Sequence, residues 1–130
     1  MPFHLSDKSI LLVDDSPIMR MFLIMNMRRM LRVNITEAVN GHDALAKLMQ
    51  GKYDLLLTDM NMPEMGGAEL VRAVRIGLKS DIPIVIITTK GEVHDRDLGM
   101  SLGANGYLTK PVDVKELIKA ILNHLGGYKF

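Results

Sequence analysis

The chain has 130 residues, 48% of them apolar and 24% charged, with a formal net charge of +1. That length buries a core without staples, and a charge so close to zero gives no bulk electrostatic reason to expect nucleic acid or a membrane surface as partner. Cysteine is absent, which excludes disulfides and thiol chemistry, and no apolar run approaches the roughly 20 residues that span a bilayer.

Met1 to Lys8 contains Asp7 and lacks an apolar stretch, so it does not read as a signal peptide, and a cytoplasmic location is expected. Strand-like runs then alternate with longer helical patterns. Ser9–Val13 reads as a strand and 17–31 as a helix. Asn34–Val39 is followed by a helix over 42–50. Tyr53–Asp59 leads through Met60–Gly66 to a helix ending near Gly77. Pro83–Thr88 precedes a helix over 93–102, and Gly106–Thr109 precedes the last, 114–125. Gly126 and Gly127 are placed to end that helix, with 128–130 as a tail. The expectation is one domain, 1–130, with its core over about 8–125.

Five such units predict an α/β fold with a parallel sheet, right-handed crossovers and helices on both faces. Ile10–Val13, Leu55–Leu57 and Ile84–Ile87 are continuously apolar, as strands covered on both faces are. The second run partly alternates and the fifth is short, so those two read as edges. The pattern fits five strands in the flavodoxin-like order 2-1-3-4-5.

In such a sheet, ligands bind beyond the carboxyl ends of the strands. There the chain places Asp14 and Asp15, then Asp59, Thr88 and Lys110. Strands one and three are neighbours at roughly 4.8 Å, so three carboxylates face one another. Their repulsion calls for protons or a metal, and an oxygen-rich, partly hydrated site suits Mg²⁺. A carboxylate nucleophile with a metal, a hydroxyl and an ammonium around it is equipment for accepting a phosphoryl group.

The motifs Val13-Asp14-Asp15, Asp59 through Gly67, Thr88, and Gly103-Ala104 through Tyr107 to Lys110-Pro111 occur in order across the chain. Together they make it resemble a response-regulator receiver domain, over essentially residues 8 to 125 and close in size to the single-domain chemotaxis regulators. The resemblance implies a phosphorelay switch. Asp59 is then the phosphoacceptor, served by a sensor histidine kinase or a histidine phosphotransfer protein. Asp15, Asp59 and the backbone carbonyl of Asn61 are the implied Mg²⁺ ligands, with Asp14 acting through a water. Thr88 and Lys110 hold the phosphoryl oxygens. Tyr107 is the implied aromatic switch, moving inward with Thr88 and relaying the change to the surface of helix four, strand five and helix five. A cis Lys110-Pro111 peptide is implied as well. Thr89 stands where alanine is common in the family, and Lys90 and Asn61 where members vary in acyl-phosphate lifetime.

Helix one is unusual for its methionines and for having no acidic residue from Pro17 to Arg32. At 100° per residue, Met19, Leu23, Met27 and Met30 share one face and are expected on the sheet. Met21 and Met25 fall nearly opposite, beside Arg28, and form a candidate kinase-docking face. The expected chemistry is phosphoacceptance with slow self-dephosphorylation, not turnover of an external substrate. A small aspartate-nucleophile phosphatase needs a general acid two residues after the nucleophile, where this chain has Asn61. A flavin-binding protein needs a phosphate loop where Asp14 and Asp15 would repel the ligand. The downstream target, the choice between monomer and phosphorylation-linked dimer, and whether the receiver stands alone or belongs to a longer protein are left open.

Overall fold

The computed structural model describes residues 2–125. Its elements alternate as β1 (Phe3–Val13), α1 (Pro17–Met30), β2 (Leu31–Ala38), α2 (Gly41–Gln50), β3 (Leu55–Asp59), α3 (Gly67–Arg72), β4 (Ile84–Thr89), α4 (Val93–Ser101), β5 (Gly106–Lys110) and α5 (Val114–Leu125). The strands form one parallel sheet in the order β2-β1-β3-β4-β5, as expected, with β2 and β5 at its edges.

Strand periodicity sorts the core into two layers. Ile10, Leu12, Leu55, Leu57, Val85 and Ile87 face Leu23 and Met27 of α1 and the apolar side of α5, from Leu117 to Leu125. Leu11, Val13, Leu56, Ile84 and Ile86 face Ala44 of α2 and Leu70 and Val71 of α3. Helix α4 closes that second layer by bringing Gly99 onto Ile86, where a Cβ would lie 2.5 Å from the isoleucine Cδ1.

Local chemistry starts the helices. Ser16 caps α1 by accepting from the Met19 N–H at 3.2 Å, and Pro17 occupies the first turn. At α2, Asn40 Oδ1 accepts from the Asp43 N–H at 2.8 Å, and the Asp43 carboxylate reaches back to accept from the N–H of Val39, the residue before the cap, at 3.0 Å.

The departures from the expected boundaries that change the fold lie at the start of the chain. β1 begins at Phe3, six residues before Ser9, and continues across an irregularity between Leu5 and Ser9. Helix α1 stops at Met30 and β2 starts at once with Leu31, because Phe3 and Leu5 pair with Leu31 and Val33. Strand pairing there takes the residues that helix periodicity assigned to the last turn. Met30, expected on the sheet, is exposed for the same reason: the chain leaves the helix at that point, and Met19 and Ile24 pack beside Leu23 and Met27 in its place. The expected helix end at Gly126-Gly127 and the tail 128–130 lie outside the described residues.

Helix α3 continues into a π-helical turn, Ala73–Gly77, which carries Arg75 to the loops before β4 and β5. Its guanidinium donates to the carbonyls of Gly103 (3.0 Å), Ser80 (2.9 Å) and Ile82 (2.7 Å) and to Asn105 Oδ1 (2.9 Å). Asn105 Oδ1 also accepts from the Ile84 N–H at 2.8 Å. One side chain thus ties the loops before β4 and β5 at the end of the sheet away from the carboxylates.

Candidate functional site: an acidic cluster with a lysine

Register decides which groups meet. Val13 pairs with Thr58, so Asp14 continues β1 opposite Asp59 at the end of β3. Asp59 pairs with Ile87, which leaves Thr88 one residue beyond it on β4. Thr88 pairs with Thr109 and Thr89 with Lys110, which brings the lysine to the same rim. Helix α3 seals this end from below: a Cβ on Gly67 would stand 2.5 Å from the Asp59 carbonyl oxygen, so only glycine allows this approach.

One carboxylate oxygen each from Asp14, Asp15 and Asp59 lies within 4.8 Å of the others. Asp14 and Asp59 are 1% and 2% exposed, whereas Asp15 is exposed. Asp14 Oδ1 accepts from the Ser16 N–H at 2.8 Å. Lys110 Nζ stands 3.0 Å from Asp59 Oδ1, an ion pair without hydrogen-bond alignment. Asp14 Oδ2 and Asp59 Oδ1 accept no hydrogen bond among the described residues. Buried acceptors left in this state are costly unless a proton, water or ion completes them.

Burial raises both carboxyl pKa values. For Asp14 desolvation is the largest cause, opposed by the Ser16 N–H and reinforced by the charge of Asp59. For Asp59 desolvation again leads, and Lys110 together with the backbone N–H groups of Asn61 and Met60 pulls it back. Clustered, under-coordinated oxygens of this kind fit a hard divalent cation, which removes the repulsion and supplies the missing partner. Asp14, Asp15 and Asp59 are the residues that could hold it.

Thr88 is buried, and its hydroxyl donates to the Leu108 carbonyl at 3.5 Å, a long contact. Tyr107 points outward, 44% exposed, with the Arg96 guanidinium 5.2 Å above its ring. The Lys110-Pro111 peptide is cis. Asn61, Thr89 and Lys90 are exposed around the rim. On α1, Met21, Met25 and Arg28 are exposed together as expected, on the outer side of the helix.

Three features escaped the sequence reading. Arg20 is not a free surface charge: it bridges the Asp14 carbonyl and Glu37. Arg96 sits over Tyr107, which nothing in the spacing of α4 signals. An apolar groove beside the carboxylates is lined by Ile18, Met19, Phe22, Pro111 and Val112. Ile18 is 81% exposed there, and the signal for it was available: Ile18 and Phe22 are four residues apart on α1, away from the Leu23–Met27 face.

Comparison with known proteins matches the family and the fold. A family model described as "Response regulator receiver domain" matches residues 10–122. Transcriptional regulatory protein ResD of Bacillus subtilis (strain 168) is 38% identical over 120 residues, 90% of this chain and 49% of that protein. Sensor protein EvgS of Escherichia coli (strain K12) is 38% identical over 125 residues, 95% of this chain but 10% of that protein. The chain therefore spans half or less of these curated relatives. Among solved structures, chemotaxis protein CheY4 of Vibrio cholerae superposes with a TM-score of 0.81 at 32% identity, covering 91% of this chain and 98% of that one. A second, described as a putative response regulator from Chloroflexus aurantiacus, reaches a TM-score of 0.86 at 29% identity, covering 92% and 98%. The chain belongs to the response-regulator receiver domain family of two-component signalling.

Proposed function

We propose that this chain is a Mg²⁺-dependent phosphoacceptor switch in which Asp59 takes a phosphoryl group from a phosphohistidine. The observation that carries the reading is the Asp59 carboxylate itself: buried, 3.0 Å from the Lys110 ammonium and with an oxygen within 4.8 Å of carboxylate oxygens of Asp14 and Asp15. An oxygen of Asp59 attacks phosphorus as the P–N bond breaks, and the imidazole leaves with the bonding pair and takes up a proton. Lys110 pairs with a phosphoryl oxygen, and the Thr88 hydroxyl exchanges its long contact with Leu108 for another. Asp15, Asp59 and the Asn61 carbonyl would hold Mg²⁺, with Asp14 acting through a water, and the ion would supply neutralisation of negative charge at Asp59. No group at position 61 offers the proton an external leaving group needs, so turnover of a separate substrate is not expected.

The partner is a sensor histidine kinase or a histidine phosphotransfer protein. Exposed Ile18 and Phe22, which line a groove with Ser16 and with Pro111 next to Lys110, are continued by Met21, Met25 and Arg28 and give it an apolar face to dock on. Output runs through Thr88 and Tyr107 to α4, β5 and α5 as a population shift, toward a protein target and not nucleic acid. Receivers of this kind act as monomers or phosphorylation-linked dimers, free or joined to further domains. Among the described residues no helix is long and apolar enough to cross a membrane, and the reading places the switch on the cytoplasmic side, where kinase domains act.

The test is intact mass after incubation with acetyl phosphate, with and without Mg²⁺, on wild type and Asp59→Asn. The expected result is a Mg²⁺-dependent gain of one phosphoryl group that the substitution removes. A gain retained in Asp59→Asn would move the acceptor elsewhere.

A further inference from the structure

Arg20 lies in the first turn of α1 with its side chain only 14% exposed, although nothing in the phosphoacceptor chemistry uses it. Its guanidinium reaches back to the rim. Nη1 donates to the Asp14 carbonyl at 2.7 Å and Nε to Glu37 Oε1 at 2.9 Å. Glu37 is itself placed by β2, and its own carbonyl accepts from Lys47 of α2.

The consequence falls on two acidic residues. The Asp14 N–H donates to the Ala38 carbonyl at 3.1 Å, its Oδ1 accepts from Ser16, and its carbonyl is held by Arg20. Oδ2 is the one atom left over, and it belongs to the carboxylate cluster. The Asp14 carbonyl and the Asp15 N–H share one rigid peptide plane. Anchoring that oxygen therefore sets the direction in which Asp15 leaves the backbone. The Asp15 side chain makes no hydrogen bond or ion pair of its own among the described residues, so its aim depends on this plane.

We infer that Arg20, braced by Glu37, is a positioning residue for the cation site: it orients the Asp14-Asp15 peptide so that three carboxylates converge before the metal arrives. The inference rests on the Mg²⁺ reading above. The action is geometric. The largest influences on the Asp14 carboxyl are burial, Ser16, Asp59, Lys110 and Asp15, with Arg20 not among them. Preorganisation of this kind lowers the cost of binding, because the cluster need not be ordered by the ion.

The experiment is an ¹⁵N NMR titration with Mg²⁺, following the amides of residues 58–61, on wild type, Arg20→Met, Glu37→Ala and Arg75→Ala. Methionine keeps the packed stem and removes both hydrogen bonds. Arg75→Ala removes a staple of similar size remote from the site and reports what mere loss of stability does. The same spectra show that each variant is folded. The expected result is a Mg²⁺ dissociation constant about tenfold weaker in Arg20→Met, a smaller weakening in Glu37→Ala, and no change in Arg75→Ala. Equal affinity in wild type and folded Arg20→Met would overturn the inference and leave the metal reading intact. Weakening of the same size in Arg75→Ala would also overturn it, by showing a global effect. Absence of Mg²⁺ binding by wild type would instead remove the metal reading, and this inference with it.

Discussion

Lys110 Nζ lies 3.0 Å from Oδ1 of Asp59, an ion pair between the ends of β5 and β3, with β4 lying between them in the sheet. The long lysine side chain crosses the intervening strand, where Ile87 pairs with Asp59 and Thr89 with Lys110. If Asp59 is the phosphoacceptor proposed above, the pair holds a cation where negative charge would accumulate during transfer, in a place burial has already partly dried.

Lys110→Met should therefore slow labelling of Asp59 by acetyl phosphate by about 10²-fold, the scale of losing one preorganised charge contact. The slope of initial rate against acetyl phosphate at saturating Mg²⁺ measures it. A rate within twofold of wild type would show that the lysine is structural only.

Asp14 and Asp59 give a pH dependence of defined sign. Burial raises both folded-state pKa values above the unfolded value near 3.8. Between 3.8 and the raised values the folded chain holds more protons than the unfolded one, so the contribution of these groups to stability falls as pH rises and stays reduced at neutral pH. In Asp14→Asn this cost is gone, while the Oδ1 acceptor for Ser16 is kept. Without Mg²⁺ the variant should melt above wild type at pH 7, and the difference should shrink toward pH 4. Added Mg²⁺ should reverse the order, since a ligand at 100 times its dissociation constant stabilises wild type by about 2.7 kcal/mol. Calorimetric scans with and without Mg²⁺ decide it. A variant that melts lower under every condition would contradict the argument.

Arg96 over Tyr107 should hold the ring outward. Arg96→Ala should enlarge the inward population of Tyr107 before phosphorylation and reduce the shift that phosphorylation adds. Ring chemical shifts of ¹³C-labelled tyrosine, compared with and without acetyl phosphate, report both. Identical tyrosine spectra in the two proteins would dissociate Arg96 from the switch.

Arg75→Ala removes four hydrogen bonds from a partly buried guanidinium and leaves three carbonyls and Asn105 without that donor. A loss of about 2–3 kcal/mol is expected in urea unfolding, with acetyl phosphate labelling at saturating Mg²⁺ unchanged.

Docking can be separated from chemistry on α1. With a histidine kinase that phosphorylates the wild-type chain, Ile18→Gln should slow transfer about tenfold, and Met21→Gln with Met25→Gln should add to it. Labelling by acetyl phosphate should stay the same in all of them. A parallel slowing with the small donor would place these residues in the site and not in a docking face.

Much of the architecture is legible along the chain because it depends on neighbours in sequence. Continuous apolar runs at Ile10, Leu55 and Ile84 declare strands covered on both faces, and Pro17 after Ser16 declares a helix start. The acidic cluster was legible too: Asp14 directly follows β1 while Asp59 and Lys110 end β3 and β5, and strands in one parallel sheet end on one side. The end of α1 was not. Helical periodicity at Met30 and Leu31 was outweighed by pairing with Phe3, about thirty residues away, which local patterning cannot see.

By itself, then, the sequence determined the order of elements and which residues stand at the carboxyl rim, since both follow from local patterns, and its ordered motifs carried the resemblance to the family. Tertiary structure alone decided that Arg20 braces the Asp14 peptide, that Arg75 ties two loops, that Arg96 covers Tyr107 and that Met30 stays exposed. A long arginine side chain reaches acceptors far along the chain, so its role depends on strand register and helix placement, which exist only once the whole sheet has formed.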